Sequence, residues 1–404
     1  MAAGAAAAEE APTLVRVKEI RVNGNVTTAR RIILRYCDFK EGDLLTPAEL
    51  DRRLAQTRKN LVKTQFFLHV NVFDLPRTNP AEAVIMVDVS EGPTWHFSAS
   101  TTQAKLTKEN VGGRSVALGV EGGLERQRLS YDQRWTFGWP WRTSLAAFYE
   151  NGHETILENG RGYVGEWYHE EAVGGEGAWG YLPTSAVEFG AGVRAEDIHY
   201  YDYRVKARPF PRYGVRDRAT LVALQPYAEW DGRDNSLYPS RGVAVRLDTE
   251  LTSRRLSVYE YGGAALDVRA YVTPAWKLVV AERVYVAAAT DGMPYIRWYN
   301  IRGSEGLRSV NCYTTVGTKA LLSSTELRRQ LFPSPLFTGW LEGVLFCDVG
   351  RTWDAGEAAR GRDFGVAFGP GIRVHMKQPL YFDWRAELNV IGDLAFYASA
   401  RRGF

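Results

Sequence analysis

Two patterns of apolar and polar positions succeed one another along the chain, and the change falls near residue 92. From Leu14 to Gly92 the pattern is mixed. An alternating stretch ends at the turn Asn23-Gly24, two stretches with helical spacing follow, and two more alternating stretches complete the region. Alternation indicates strands, whereas apolar residues three or four positions apart indicate helices. Residues 14–92 are therefore predicted to form a small α+β domain of order β-α-α-β-β.

The two predicted helices have different start signals. Thr46 precedes Pro47, which is a cap residue followed by proline at the first helical position. For the first helix, Thr27 or Thr28 is the predicted N-cap, because threonine side chains accept hydrogen bonds from the first free N–H groups.

The helical period disappears after Pro93, and short alternating stretches recur at intervals of roughly 15–22 residues. In one of them Val243 and Val245 lie in one phase and Arg246 lies in the other. The pattern predicts about 14 to 16 strands over residues 93–404. That number fits a closed barrel with an apolar outer face and a polar lumen. A soluble β-protein with an apolar core has the same alternation, so both folds stay open at this point.

Composition narrows the classes of protein. Charged residues make up 24% of the chain, and no apolar run reaches the length of about 18 residues that a transmembrane helix needs. Spanning strands stay possible, because each needs only about 9–11 alternating residues. The 39 Gly, 12 Trp, 21 Tyr and 17 Phe suit tight turns and aromatic belts. A net charge of +3 provides no strong field for nucleic acid, and no such partner is expected.

Residues 1–13 are predicted to be a disordered tail. They lack the basic start of a secretory signal and the arginines of an amphipathic targeting helix. Two interpretations remain: a bacterial signal peptide was removed and replaced by Met1, or an organellar barrel is inserted without a cleaved presequence. Cys37, Cys312 and Cys347 have no metal-type spacing and are expected to be ordinary thiols.

One turn between alternating stretches, YAEWDGRDNSLYPSRG, carries an unusual group of charges. Asp231 and Asn235 are turn residues, and Pro239 cannot donate to a strand ladder, so the stretch is predicted to be a β-hairpin. Arg233 lies between Asp231 and Asp234. This order favours structural ion pairing over an acid–base carboxylate dyad.

The hairpin resembles a signature of the BamA, TamA and Sam superfamily of membrane β-barrels, the bacterial surface antigen family. That signature reads D-x-R-D-x-x-x-x-P-x-x-G, and every fixed position is present: Asp231, Arg233, Asp234, Pro239 and Gly242. The resemblance implies a mainly β protein with a C-terminal transmembrane antiparallel barrel of 16 strands. The N-terminal region is similar to a POTRA domain, a module that binds client chains partly by adding them to a sheet edge.

Two further stretches resemble this family. IRGSEGLRSV looks like its long sixth extracellular loop, with Arg308 as the loop arginine, or Arg302 in an alternative register. FCDVG matches the strand motif F-x-D-x-G through Phe346, Asp348 and Gly350.

In relatives the loop arginine folds into the lumen and pairs with the strand aspartate. The resemblance therefore implies a lumen lock between Arg308 and Asp348, with Glu326 as a second acceptor. The chemistry is suitable, because a guanidinium presents a rigid fork of donors to a carboxylate. The terminal Phe404 resembles the signal that barrels present to their own insertion machinery.

No nucleophile, metal or phosphate-binding motif occurs, and the six histidines are scattered, so no enzyme activity and no cofactor are expected. The resemblance implies an insertase that assists the folding and insertion of β-barrel precursors. Its partners would be unfolded precursors, accessory assembly subunits and membrane lipid. The alternative is a translocation pore of the two-partner-secretion or organellar-import type. The expected location is an outer membrane, with the mitochondrial one favoured over a bacterial one.

Overall fold

A computed structural model describes most of the chain: residues 14–99, 103–157, 163–204, 218–236, 238–301, 303, 306–308, 316–333, 339–354, 364–376, 382–390 and 395–400. The predicted tail, residues 1–13, lies outside the described residues. The chain separates into two compact units, of which the first ends at Gly92 and also includes Gly112–Arg114. Among the described residues, no helix has the length and apolar character needed to cross a membrane.

The first unit contains a four-stranded sheet and two helices. Its elements are β1 (Val15–Asn23), α1 (Arg30–Arg35), β2 (Leu44–Leu45), α2 (Pro47–Thr64), β3 (Phe67–Asp74) and β4 (Glu82–Glu91). The sheet order is β2-β1-β4-β3, with β1 and β4 parallel. The predicted order β-α-α-β-β is confirmed, with the two-residue strand β2 added between the helices. Alternate residues of β4 are buried, which places the core on one face of the sheet: Ala83, Ile85, Val87 and Val89.

The helix starts agree with the sequence in one case only. The Thr46 hydroxyl accepts a hydrogen bond from the Glu49 N–H at 3.2 Å and caps α2 as predicted. The predicted Thr27 or Thr28 cap of α1 is wrong, because the N-cap is Ala29 and no side chain caps it. The threonines instead belong to a turn held from β4.

Glu91 at the end of β4 holds that turn. Its carboxylate accepts the Thr28 N–H at 2.6 Å and the Thr27 N–H at 2.9 Å. Burial alone would raise the pKa of Glu91, but these hydrogen bonds outweigh it and lower the pKa.

Elsewhere in this unit, burial raises the pKa of the Cys37 thiol to about 12, so the thiol stays protonated and unreactive at neutral pH.

The second unit consists of strands joined by turns and short 3-10 helices. The 3-10 helices are Val111–Gly113, whose last two residues belong to the first unit, Thr136–Gly138 and Tyr295–Arg297. The strands are β5 (Trp95–Ala99), β6 (Gln103–Lys108), β7 (Val116–Gly123), β8 (Arg126–Gln133), β9 (Trp141–Leu157), β10 (Tyr163–Thr184), β11 (Val187–Arg204), β12 (Arg218–Asp231), β13 (Gly242–Thr252), β14 (Gly262–Val272), β15 (Leu278–Ala289), β16 (Tyr299–Asn300), β17 (Val316–Gly317), β18 (Lys319–Pro333), β19 (Gly339–Trp353), β20 (Gly365–Met376), β21 (Phe382–Asn389) and β22 (Ala395–Ala400).

All of these strands except β16 and β17 form one closed antiparallel barrel. The barrel has 16 strands, which confirms the number that the family resemblance implied. Neighbours follow chain order, except that β15 pairs with β18 and β22 pairs with β5, through Ala400 and Ala99 among the described residues. Strands β16 and β17 pair with each other inside the segment that joins β15 to β18.

The alternation predicted from the sequence separates two faces of the barrel wall. On β18 the inward residues Leu322, Ser324 and Glu326 are at most 2% exposed, whereas Leu327 in the other phase is 38% exposed. Successive strands run in opposite directions, so connections fall alternately at two ends. The β12–β13 hairpin is at one end, and the segment between β15 and β18 starts from the other.

Candidate functional site

Arg308 lies in the segment between β15 and β18 and is 1% exposed. All five of its guanidinium N–H groups have acceptors. Nε and Nη2 donate to the two Asp348 oxygens at 2.7 and 2.6 Å, and Nη2 also donates to Ser324 Oγ at 3.2 Å. Nη1 donates to Glu326 at 2.8 Å and to Glu387 at 3.0 Å. The guanidinium is therefore fully satisfied without water.

The F-x-D-x-G motif of β19 places three residues on the inner face, because strand side chains alternate with period two. The Phe346 ring lies 3.8 Å from the Arg308 guanidinium carbon, a cation–π contact. Asp348 accepts the two-pronged hydrogen bond. At Gly350 a Cβ would come within 2.9 Å of Ile301 Cδ1, so glycine leaves room for the segment that carries Arg308. Each fixed residue of the motif thus contacts this segment.

Two more arginines complete the electrostatic balance. Arg328 donates to Glu326 at 2.7 Å, and Arg373 donates to both Glu326 and Glu387 at 2.7 Å. Three guanidinium groups therefore face three carboxylates, and the six side chains are between 0% and 7% exposed. We refer to these six residues as the lock cluster: Arg308, Arg328, Arg373, Glu326, Asp348 and Glu387.

The backbone before Arg308 forms a tight turn. Gly303 has φ +106°, a conformation that favours glycine, and the Leu307 N–H donates to Ile301 O at 2.5 Å. Ile301 and Leu307 are 3% and 0% exposed and pack against Leu322 and other inward residues of the wall. Apolar packing and the lock cluster together hold this segment against β18 and β19.

The hairpin signature organises a different place, the β12–β13 turn. Asp231 accepts two hydrogen bonds from the Arg233 guanidinium, both at 3.0 Å. Asp234 accepts the N–H groups of Ser240 and Arg241 at 2.9 and 3.1 Å and so fixes the returning chain. The two aspartates therefore do different work: one pairs with the arginine, and the other binds backbone.

The remaining signature residues shape the end of this turn. Gly242 has φ +104°, and a Cβ there would lie 2.5 Å from Gly232 O, so a larger residue would strain the backbone. Pro239 is buried and has no N–H to satisfy. The next residue toward β12, Tyr238, packs its ring 4.8 Å from the rings of Trp340 and His375.

Through these contacts the hairpin packs against strands that are not its own neighbours in the barrel. Trp340 and His375 belong to β19 and β20, whereas the hairpin joins β12 and β13. The hairpin therefore reaches across one end of the lumen. The segment with Arg308 enters from the other end, so the hairpin and the Arg308 anchor approach the lumen from opposite ends.

Comparisons with known proteins agree on one family. The model of the Omp85 superfamily domain matches residues 110–384, and that of the surface antigen variable number repeat, the POTRA domain, matches residues 15–92. The chain belongs to the Omp85 superfamily. No curated protein matches it in sequence.

Solved structures share the Omp85 fold at low identity. BamA from Haemophilus ducreyi lacking POTRA domains 1–3 is 16% identical, with a TM-score of 0.54 over 96% of this chain and 84% of that one. CdiB from Acinetobacter baumannii is 11% identical, with a TM-score of 0.58 over 96% of this chain and 73% of that one. CdiB from Escherichia coli is 12% identical, with a TM-score of 0.57 over 96% and 76%. At these identities the likeness concerns the fold alone.

A second contact anchors the same segment of this Omp85 barrel to another part of the wall. Arg297 pairs with Glu196 of β11, whose side chain is 0% exposed. Arg194 donates to the same carboxylate at 2.8 Å and lies 4.2 Å from the Phe148 ring. The segment between β15 and β18 is therefore held to β11 by Arg297 as well as to β18, β19 and β21 by Arg308.

The structure brings together most of the residues predicted from the sequence for the lock: Arg308, Asp348, Glu326, Phe346 and Gly350. The alternative loop arginine, Arg302, and the terminal Phe404 lie outside the described residues. Sequence reasoning missed Arg297 and three members of the lock cluster: Arg328, Arg373 and Glu387. For Arg328 the sequence did contain a signal, because Ser324, Glu326 and Arg328 alternate along β18 and therefore face the lumen together.

Proposed function

We propose that this protein assists the folding and insertion of β-barrel precursors into an outer membrane. One observation carries the proposal: the lumen holds the segment of Arg308, and the anchoring guanidinium is fully paired and buried. A substrate passing through the lumen would have to displace this segment and leave buried charges without partners, which is costly. Substrate handling at the barrel wall requires no such step.

The N-terminal domain supports the same proposal. Its strand β3 is the outer strand of the sheet β2-β1-β4-β3. An edge strand has a row of free backbone N–H and C=O groups and can pair with an extended client segment. The barrel offers a second place for pairing where its first and last strands, β5 and β22, meet. Hydrogen bonds completed there would satisfy client backbone in lipid.

The rival function is a translocation pore of the two-partner-secretion or organellar-import type. Purified protein in liposomes would separate the two. We expect an added, urea-unfolded barrel precursor to fold faster with the protein than in empty liposomes, as followed by its heat-modifiable migration on gels. Ion conductance without faster folding would contradict the insertase proposal. The surface variant Arg254→Ala removes only an exposed ion pair with Glu260. It is expected to speed folding as much as the unmodified protein does.

We further propose that the protein acts without a catalytic site or cofactor and does not bind nucleic acid. In this proposal the acidic residues serve as ion-pair partners, as in the lock cluster. Unfolded precursors, accessory subunits and membrane lipid are the proposed partners. The proposed location is an outer membrane, as for other members of the Omp85 superfamily, and the mitochondrial one stays favoured over a bacterial one.

A further inference from the structure

Strand β15 carries a carboxylate on the lipid-facing side of the barrel. Its inward phase includes Ala281 and Ala287, which are 1% and 3% exposed, and its outward phase includes Val286, which is 43% exposed. Glu282 belongs to the outward phase, and Ala281 lies opposite Glu326 of the lock cluster in the ladder with β18. The outward phase is otherwise apolar: Leu278, Val280, Val284, Val286 and Ala288.

Two hydroxyl groups of the neighbouring strand bind this carboxylate. Ser323 Oγ donates to one Glu282 oxygen at 2.8 Å, and Thr325 Oγ1 donates to the other at 2.5 Å. Both residues alternate with the buried Ser324 and Glu326, so they also face outward. Among the described residues, no lysine, arginine or histidine forms an ion pair with Glu282.

The depth of Glu282 makes this arrangement unusual. It lies four positions after Leu278, where β15 begins. With a rise of about 3.3 Å per residue and a strand tilt of about 40°, the carboxylate is about 10 Å from that end of the strand. The surrounding outward residues include Ala270 of β14, Leu327 of β18 and Cys347 of β19. The carboxylate therefore lies within the apolar band of the outer wall.

We propose that Glu282, Ser323 and Thr325 form a docking site for a membrane-spanning segment of a partner protein that carries a lysine or arginine. Charged side chains in hydrocarbon are unfavourable unless they are paired, and they commonly mark interaction sites. Two hydroxyl groups satisfy part of the carboxylate but leave its charge uncompensated. A basic side chain on a partner segment would neutralise Glu282 and would lose its own unfavourable exposure to lipid.

A side chain fits the position better than a lipid headgroup does. Headgroup amines lie at the membrane surface, whereas Glu282 is about 10 Å along the wall from the strand end. Lysine and arginine carry their charge on long apolar stems that pack along an apolar surface. This site lies outside the lumen, the POTRA edge and the β5–β22 contact, so the inference does not depend on the insertase proposal.

The test uses two synthetic transmembrane helices in liposomes that contain the purified protein. One helix has a single lysine about 10 Å below the membrane surface, and the other has leucine there. Association is measured by fluorescence transfer from protein tryptophans to a dansyl group on the helix. We expect the wild type to bind the lysine helix about tenfold more tightly than the leucine helix, and Glu282→Gln to bind both equally.

The matched control is Asp197→Asn. Asp197 lies on the outer face of β11 but already pairs with Arg218 at 2.6 Å, so this variant is expected to keep the preference for the lysine helix. A charge reversal provides an independent check, because Glu282→Lys is expected to prefer a helix with glutamate at the same depth. Equal binding of the lysine and leucine helices by the wild type, or an unchanged preference in Glu282→Gln, would overturn the proposal.

Discussion

The two faces of strand β18 treat negative charge in opposite ways. On the inner face, Glu326 contacts three arginines and is fully buried. On the outer face, the preceding residue, Thr325, donates one of the two hydroxyl hydrogen bonds that Glu282 accepts. Within the described residues, the barrel supplies countercharges to Glu326 on the inner face but none to Glu282 on the outer face. The carboxylates of the inner cluster are therefore neutralised within one chain, whereas Glu282 is available to pair with a basic group of a second molecule.

The largest effect is expected from Arg308→Ala. The variant leaves three buried carboxylates with two guanidinium groups, and unpaired buried charge costs on the order of 3–5 kcal/mol. We expect a loss of this size in the free energy of unfolding, measured by guanidinium titration in lipid vesicles. Arg254→Ala, which removes an ion pair that is 80% and 58% exposed, is expected to lose less than about 1 kcal/mol. Equal losses in the two variants would show that the cluster is not the anchor.

One chemical change made on both faces tests the comparison directly. Glu326→Gln removes a charge that Arg328 and Arg373 require, and we expect a loss of about 3 kcal/mol. Glu282→Gln removes an uncompensated charge from the lipid-facing wall, and we expect a gain of about 1 kcal/mol in protein without a partner. The measurement is the same titration, and the opposite signs are the decisive outcome. A loss in both variants would mean that the outer carboxylate is already compensated.

The comparison also explains what the sequence predicted and what it did not. The β-α-α-β-β domain and the alternating strands follow from local periods, and the lock between Arg308 and Asp348 followed from a family resemblance. Glu387 could not be assigned, because it lies 79 residues from Arg308 and its position depends on the strand register around the barrel. Alternation shows which face a residue occupies but not which distant residues share that face.

Glu282 had a signal in the sequence that phase reasoning could have used. It interrupts an otherwise apolar phase of β15, and Ser323 and Thr325 interrupt the matching phase of β18. Without the register of β15 against β18, however, the sequence does not show that these polar residues lie next to each other. The wrong cap at Thr27 or Thr28 has a similar cause, because the group that binds that turn is Glu91, more than sixty residues further along the chain.

The hydroxyl groups of the outer site are expected to have a smaller effect. The double variant Ser323→Ala with Thr325→Val keeps the strand but removes both donors to Glu282. Hydrogen bonds to charged groups contribute about 1.5–3 kcal/mol each when buried, and solvent or lipid exposure reduces this, so we expect a loss of about 1 kcal/mol. Combined with Glu282→Leu, the same double variant is expected to cause no further loss. A loss that persists without the carboxylate would assign the hydroxyls to another partner.

The smallest effect concerns a third carboxylate, Glu91 of the POTRA domain, which is compensated by backbone N–H groups instead of cations. Its pKa is lowered in the folded state, so its stabilising contribution is present above the unfolded pKa and is lost as pH falls through the folded value. The change is therefore expected below about pH 4. Hydrogen-exchange protection of the Thr27 and Thr28 amides should fall in that range, and Glu91→Gln should remove the pH dependence. Glu82→Gln, which affects an exposed pair with Lys18, should leave it unchanged. A pH dependence that survives Glu91→Gln would mean that another group controls the turn.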